Sequence, residues 1–214
     1  MTANIGQAAL LEAAGRYYTA RLREHGRTHW GVDWNSVEGQ ELRFKQLTRV
    51  FVNGNSHFSI NDFGCGYGAL YEYLAGKEYQ FEYSGFDISA EMIESAEEVL
   101  KERKGVSLHV GHIPKILADY SVGSGIFHVK QDAPDEIWLE YILSTLDSMN
   151  IHSRRGFAFN CLTSYSDPHK MRGNLYYANP QTIFDYCMRK YSRHVALLHD
   201  YGLYEFTILV RKEL

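Results

Sequence analysis

Glycine recurs at every second position in FSINDFGCGYGAL, at Gly64, Gly66 and Gly68, straight after an apolar run through Phe58, Ile60 and Phe63. Glycine lets the backbone approach a ligand closely and take positive φ. A helix opening at Ala69 would turn its free N–H groups toward an anionic or polar group. A strand that breaks into glycines and reopens as a helix is a ligand cradle. Asp87 ends a second apolar stretch, FEYSGFD. It stands about 20 residues beyond the glycines, where doubly wound folds place the acidic residue that binds the ribose hydroxyls of an adenosine cofactor. Two histidines are placed to remove a proton. His128 lies just past a predicted fourth strand, and His199 has Asp200 beside it to orient the ring. Tyr165, Asp167, Tyr176 and Tyr177 follow the predicted fifth strand, beyond the carboxyl end of the sheet, where acceptors bind in open α/β folds. With Tyr204 they offer an aromatic wall suited to an aromatic or amphipathic molecule, or to a cationic amine through cation–π contact.

These residues need elements to hold them. Leu10, Leu11, Ala14, Tyr17, Tyr18 and Leu22 recur at helical spacing, which predicts a helix over 6–25 with Gly26 as its C-cap. After the loop THWGVDWNS, Asn35 and Glu38 form a capping-box pattern for a second helix to about Phe51. Strand and helix then alternate. Strands are expected at 58–63, 81–87, 106–110, 119–127 and 156–162, with helices at 68–75, after Ser89, at 134–148 and from Pro180 to Lys190. VALLHD and YEFTILVRK, joined at Tyr201-Gly202, predict a closing antiparallel hairpin. The expected fold is α/β: a Rossmann-like, seven-stranded, mostly parallel sheet with an antiparallel C-terminal hairpin, helices on both faces and a helical N-terminal cap. Residues 1–54 form the cap and 55–214 the core.

Composition sets limits. The 214 residues suffice for one domain, and 45% hydrophobic with 22% charged residues is a globular profile. A net charge of −4 with no basic stripe argues against a nucleic-acid partner. No apolar stretch has membrane-spanning length and no signal-peptide pattern opens the chain. Cys65, Cys161 and Cys187 are widely spaced, so reduced thiols, a cytoplasmic location and no metal site are expected.

The residues alone leave the cofactor open between a dinucleotide and S-adenosylmethionine. Asp62 two places before the first glycine, the alternate-residue glycines, the sequence GFDISAEMIESA and the terminal hairpin together resemble class I S-adenosylmethionine-dependent methyltransferases, over roughly residues 55 to 212. The resemblance implies that Gly64, Cys65, Gly66 and Gly68 pass under the methionine and ribose, and that Asp62 favours the methionine ammonium. It implies that Asp87 holds the ribose, with Ile88 and Met92 bordering the adenine. Where the family often has an acidic residue for the adenine amino group, this chain has Gly111 and His112, so His112 or backbone takes that contact. Ser124, Gly125, Ile126 and Phe127 match positions that touch cofactor and admit the acceptor. GVDWNS, QELRF, NCLTSYSD and HDYGLYEFTILVR resemble, more narrowly, small bacterial methyltransferases.

Arg43 is expected to clamp a carboxylate of cofactor or acceptor, and Tyr18 and Trp34 to line a lid. The activity these readings imply is methyl transfer to oxygen or nitrogen of a small-molecule acceptor by direct displacement, in a monomer or homodimer. The alternatives are a non-catalytic methyltransferase-like binding subunit and a nicotinamide-dependent oxidoreductase.

Overall fold

The computed structural model describes residues 5–52 and 57–212. Helix α1 (Ile5–His25) leads through a 3-10 turn (His29–Val32) to α2 (Val37–Leu47). The body follows as β1 (Phe58–Phe63), α3 (Ala69–Gly76), β2 (Phe81–Asp87), α4 (Ala90–Leu100), β3 (Val106–Val110), β4 (Ala118–Gly123), α5 (Asp135–Ile151) and β5 (Ser153–Thr163). It ends with β6 (Tyr177–Ala178), α6 (Pro180–Lys190), β7 (His194–Leu198) and β8 (Glu205–Arg211).

The sheet runs β3-β2-β1-β4-β5-β8-β7. Strands β1 to β5 are mutually parallel, and β8 lies antiparallel between β5 and β7. The chain reverses its order between β1 and β4, and ligands of open α/β sheets bind at such a switch point, outside the carboxyl ends of the strands. Strand side chains alternate between faces, so β5 feeds two cores. Phe157 and Phe159 pack with Ile142 and Leu146 of α5 and Ile183 of α6. Ala158 joins the other face, where Ile60 and Leu209 meet Leu74 of α3 and Leu47 of α2. Burial on both faces explains why β5 and β8 read as nearly unbroken apolar runs.

The N-terminal helices are attached in two different ways. Phe44, Leu47 and Val50 belong to the second core, so α2 and the 3-10 turn after it are part of the packed body. Helix α1 packs Leu10 and Leu11 against the edge of the first core and meets the start of α4 through polar contacts: Thr19 Oγ1 is 2.7 Å from Ser89 Oγ, and Arg23 Nε donates to Glu91 Oε2 at 2.8 Å.

Four expected details differ. The cap of α2 is Ser36, whose Oγ accepts from Gly39 N at 3.0 Å, and not Asn35. Helix α2 stops at Leu47 and tightens into the 3-10 turn Thr48–Val50. The fourth strand ends at Gly123 instead of 127, because the chain turns at Gly125 with φ +76. The sheet also has eight strands and not seven: the two-residue β6 pairs parallel with Leu162 and Thr163 at the end of β5. The antiparallel closing hairpin is as expected.

Leu47 is fully buried against the sheet. Leu47→Ala is expected to lower unfolding stability by about 2–5 kcal/mol, seen as a drop in the urea midpoint with an unchanged slope. A loss under about 1 kcal/mol would show that α2 is not part of the cooperative core.

Candidate functional site

The glycine segment turns at the carboxyl end of β1, with Gly64 N and Cys65 N donating to Phe86 O at 2.7 and 3.0 Å. Gly64 has φ +70, and a Cβ there would lie 2.4 Å from Ile126 Cγ2. Both the backbone conformation and the space require glycine. Asp87 ties three segments together: Oδ2 accepts from Gly66 N at 3.0 Å and Oδ1 from Ser89 N at 2.9 Å, at the mouth of α4. Each oxygen keeps acceptor capacity for a hydroxyl. Burial raises the Asp87 carboxyl to about 6, against these N–H bonds, which lower it. Asp62, on β1, accepts from Tyr83 O–H at 2.6 Å and makes no ion pair among the described residues. Burial lifts its carboxyl to about 7; the Tyr83 bond opposes the rise and Asp87 adds to it.

Around these groups lies a cavity of about 940 Å³, its open mouth included. It brings together Asp62, Gly64, Cys65, Gly66, Asp87, Ile88, Met92, Gly111, His112, Ser124 and Gly125 from the carboxyl ends of four strands. Ser124 Oγ is buried in it without a partner among the described residues. Gly68 does not line it: a Cβ there would lie 2.9 Å from Leu100 Cδ1, so this glycine serves the packing of α3 on α4.

A second cavity, of about 1590 Å³ with its mouth, adjoins the first, and Tyr18, Val32 and Trp34 line both. Its wall contains a buried network. Arg43 donates to Glu205 Oε1, Asn160 Nδ2 donates to Glu205 Oε2, and Asn160 Oδ1 accepts from Gly125 N at 2.8 Å. The Arg43 guanidinium also covers the Trp34 ring at 3.9 Å. Trp34 presses on Gly125, where a Cβ would lie 2.5 Å from the indole. His128 meets Trp34 edge-on with ring centres 5.5 Å apart, and its Nε2 is buried without a partner among the described residues. Burial holds His128 down at about 4, so the ring is neutral at pH 7.

Several expected residues lie apart from the cavities. Arg43 lines the second cavity only, with its charge committed to Glu205. Tyr177 and Tyr204 also line the second cavity. Phe127 is fully buried core, Tyr165 is exposed, and Tyr176 contributes a backbone N–H to His128 O. His199 stands exposed beside Tyr165. None of these four lines either cavity. The sequence reading missed Gln40 and Tyr67 in the first cavity and Glu205 in the second. Glu205 and Asn160 carried a signal, since each is a polar residue at a fully buried position of an otherwise apolar strand.

A cradle, a ribose-type aspartate and a sheet with a reversed eighth strand define an α/β domain for an adenosine cofactor. A family described as "Methyltransferase domain" matches residues 61–149. The protein named "Putative methyltransferase Rv1506c" of Mycobacterium tuberculosis (strain ATCC 25618 / H37Rv) is 54% identical over 161 residues, 75% of this chain and 97% of that one. Among solved structures, the N-methyltransferase NodS of Bradyrhizobium japonicum WM9 with S-adenosyl-L-homocysteine has a TM-score of 0.65 at 16% identity, covering 92% of this chain and 97% of that one. Magnesium protoporphyrin IX methyltransferase of Synechocystis PCC 6803 has a TM-score of 0.63 at 13% identity, covering 97% and 100%. The chain belongs to the class I S-adenosylmethionine-dependent methyltransferases.

The first cavity fits that cofactor: a buried carboxylate lacking a cation, a second one offering acceptor capacity to a diol, and an unpartnered serine hydroxyl. An ammonium beside Asp62 favours its ionised form, so cofactor affinity should rise with pH toward about 7, with proton release. In the cofactor-free protein the sign reverses. The native Asp62 and Asp87 carboxyls lie above their ordinary range, so the native state holds more protons than the unfolded chain. These groups therefore cost stability as pH rises from the unfolded value, about 4, through 6 and 7. Asp62→Asn is expected to stabilise the cofactor-free protein by about 1–2 kcal/mol above pH 7 while weakening cofactor binding at least about tenfold. Thermal melts and calorimetry read both, and equal affinity for the variant would refute the ammonium contact.

Proposed function

We propose that this methyltransferase acts on oxygen or nitrogen of a small-molecule acceptor held in the second cavity. The observation that carries the reading is the junction of the two cavities at Tyr18, Val32 and Trp34, with the unpartnered His128 Nε2 in the second cavity beside Trp34. Bound S-adenosylmethionine supplies an electrophilic methyl on a sulfonium and leaves as S-adenosylhomocysteine.

In this reading the chain's residues orient the reactants and move one proton. Asp87 holds the ribose, Asp62 the ammonium, and Ile88, Met92 and His112 border the adenine. Tyr18 and Trp34, presented by the 1–54 cap, form the wall at which acceptor and methyl meet. With the acceptor's lone pair directed at the methyl that the bound cofactor would supply, His128 Nε2 would take the acceptor's proton. A neutral imidazole is the form able to accept it. Holding the two reactants at near-attack distance is worth up to about 7–11 kcal/mol, so positioning outweighs the proton step. A net charge of −4 favours a small acceptor over RNA.

Asp87→Ala is expected to weaken S-adenosylmethionine binding more than about tenfold by calorimetry. His128→Gln is expected to leave that affinity unchanged and to lower kcat by about 10²-fold or more in an assay of S-adenosylhomocysteine release with a panel of small alcohols, phenols and amines. Unchanged binding in the first variant sinks the ribose contact, and unchanged kcat in the second removes His128 as the proton acceptor.

A further inference from the structure

The charges lining the second cavity do not balance. Its two carboxylates are both neutralised from within the protein: Glu205 by Arg43 and Asn160, and Asp33 by Arg21 at 3.2 Å and by Tyr17 O–H at 2.7 Å. Lys170 is matched loosely, at 3.9 Å from Asp167, and also donates to Tyr204 O–H at 3.0 Å. Arg172 lines the cavity and makes no ion pair or side-chain hydrogen bond among the described residues. His169 stands beside these cations on the same wall. Deeper in, Arg43 Nε is a buried donor without a partner among the described residues.

The backbone of Arg172 is held in place. Its N–H donates to the Tyr177 hydroxyl at 3.0 Å, its carbonyl accepts from Leu175 N at 3.1 Å, and Leu175 forms an isolated antiparallel bridge with Val129 in the loop after β4. It faces the cap: the Tyr17 phenol is pushed up to about 12 by burial first and by Asp33, and Arg172 is one of the cations opposing that rise. An exposed arginine at the rim of a cavity, its guanidinium without a protein partner among the described residues, is a receptor for planar anionic oxygens.

We propose that the acceptor carries an anionic group, a carboxylate or a phosphate, which docks on Arg172 at the rim of the second cavity while its nucleophilic atom reaches Trp34 and His128. This deepens the reading above and rests on it. Arg43 Nε supplies a second donor along the bound acceptor. A neutral analogue would forgo the charge-assisted hydrogen bonds to Arg172, so it binds more weakly. Arg172 then sets acceptor binding and not the chemical step.

The test uses the full chain loaded with S-adenosylhomocysteine and follows binding by calorimetry during titration with inorganic phosphate, benzoate and neutral benzamide. Saturable binding of phosphate or benzoate but not benzamide is expected, and whichever anion binds tighter identifies the head group. Arg172→Ala should weaken that binding about tenfold, Arg172→Lys should recover part of it, and the surface change Arg154→Ala should leave it unaltered. Absence of saturable anion binding, or equal binding by wild type and Arg172→Ala, overturns the proposal. Failure to load S-adenosylhomocysteine would instead refute the cofactor site, and a change in the Arg172→Ala affinity for that nucleoside would place Arg172 in the wrong cavity.

Discussion

The buried pair of Arg43 and Glu205 fixes the relation between the helical segment and the sheet. Arg43 comes from α2 and Glu205 from the first residue of β8, 162 positions apart. Removing two charges from water costs several kcal/mol per ion, offset here in part by Asn160, which donates to Glu205, and by the face of Trp34 under the Arg43 guanidinium. Because Asn160 also accepts from Gly125 N, one chain of contacts runs from the cap through the sheet to the loop after β4. That chain seats Trp34 where the two cavities meet. Losing either partner would leave an uncompensated charge and a displaced wall between the two cavities.

A second constraint acts through Asp62 and Asp87. Two carboxyls buried side by side at the ends of neighbouring strands are unfavourable for the fold, and both are shifted toward the protonated form. The backbone N–H groups of Gly66 and Ser89 hold Asp87, and Tyr83 holds Asp62. Polar groups kept at some cost in stability, with capacity left for a ligand, mark a preorganised site. Asp87 is structural, because its bonds to the glycine turn and to the start of α4 set the shape of the first cavity.

The cofactor cradle was legible because its signals are local. Glycines at alternate positions, an aspartate at a strand end and Ser89 as a cap each act within a few residues of chain, so spacing reveals them. The second cavity was not legible in the same way. Its wall joins α2, the loop after β4, the turn around Arg172 and the first residue of β8, and the sequence has no period linking them. Tyr165 and His199 look like acceptor residues by position yet face solvent, whereas Tyr177 from the same stretch faces the cavity.

The sequence by itself determined the alternation of strands and helices, the closing hairpin and the glycine turn with Asp87 that lines the first cavity. Hydrophobic period, glycine conformation and capping are short-range physics, and they act the same in any tertiary setting. Only the tertiary structure decided that β4 stops at Gly123, that Gly68 packs helices instead of lining the cradle, and that Arg43 answers Glu205 and not the cofactor. Each of those outcomes depends on which distant side chain arrives opposite. Register and packing across the sheet fix that, and no local pattern encodes it.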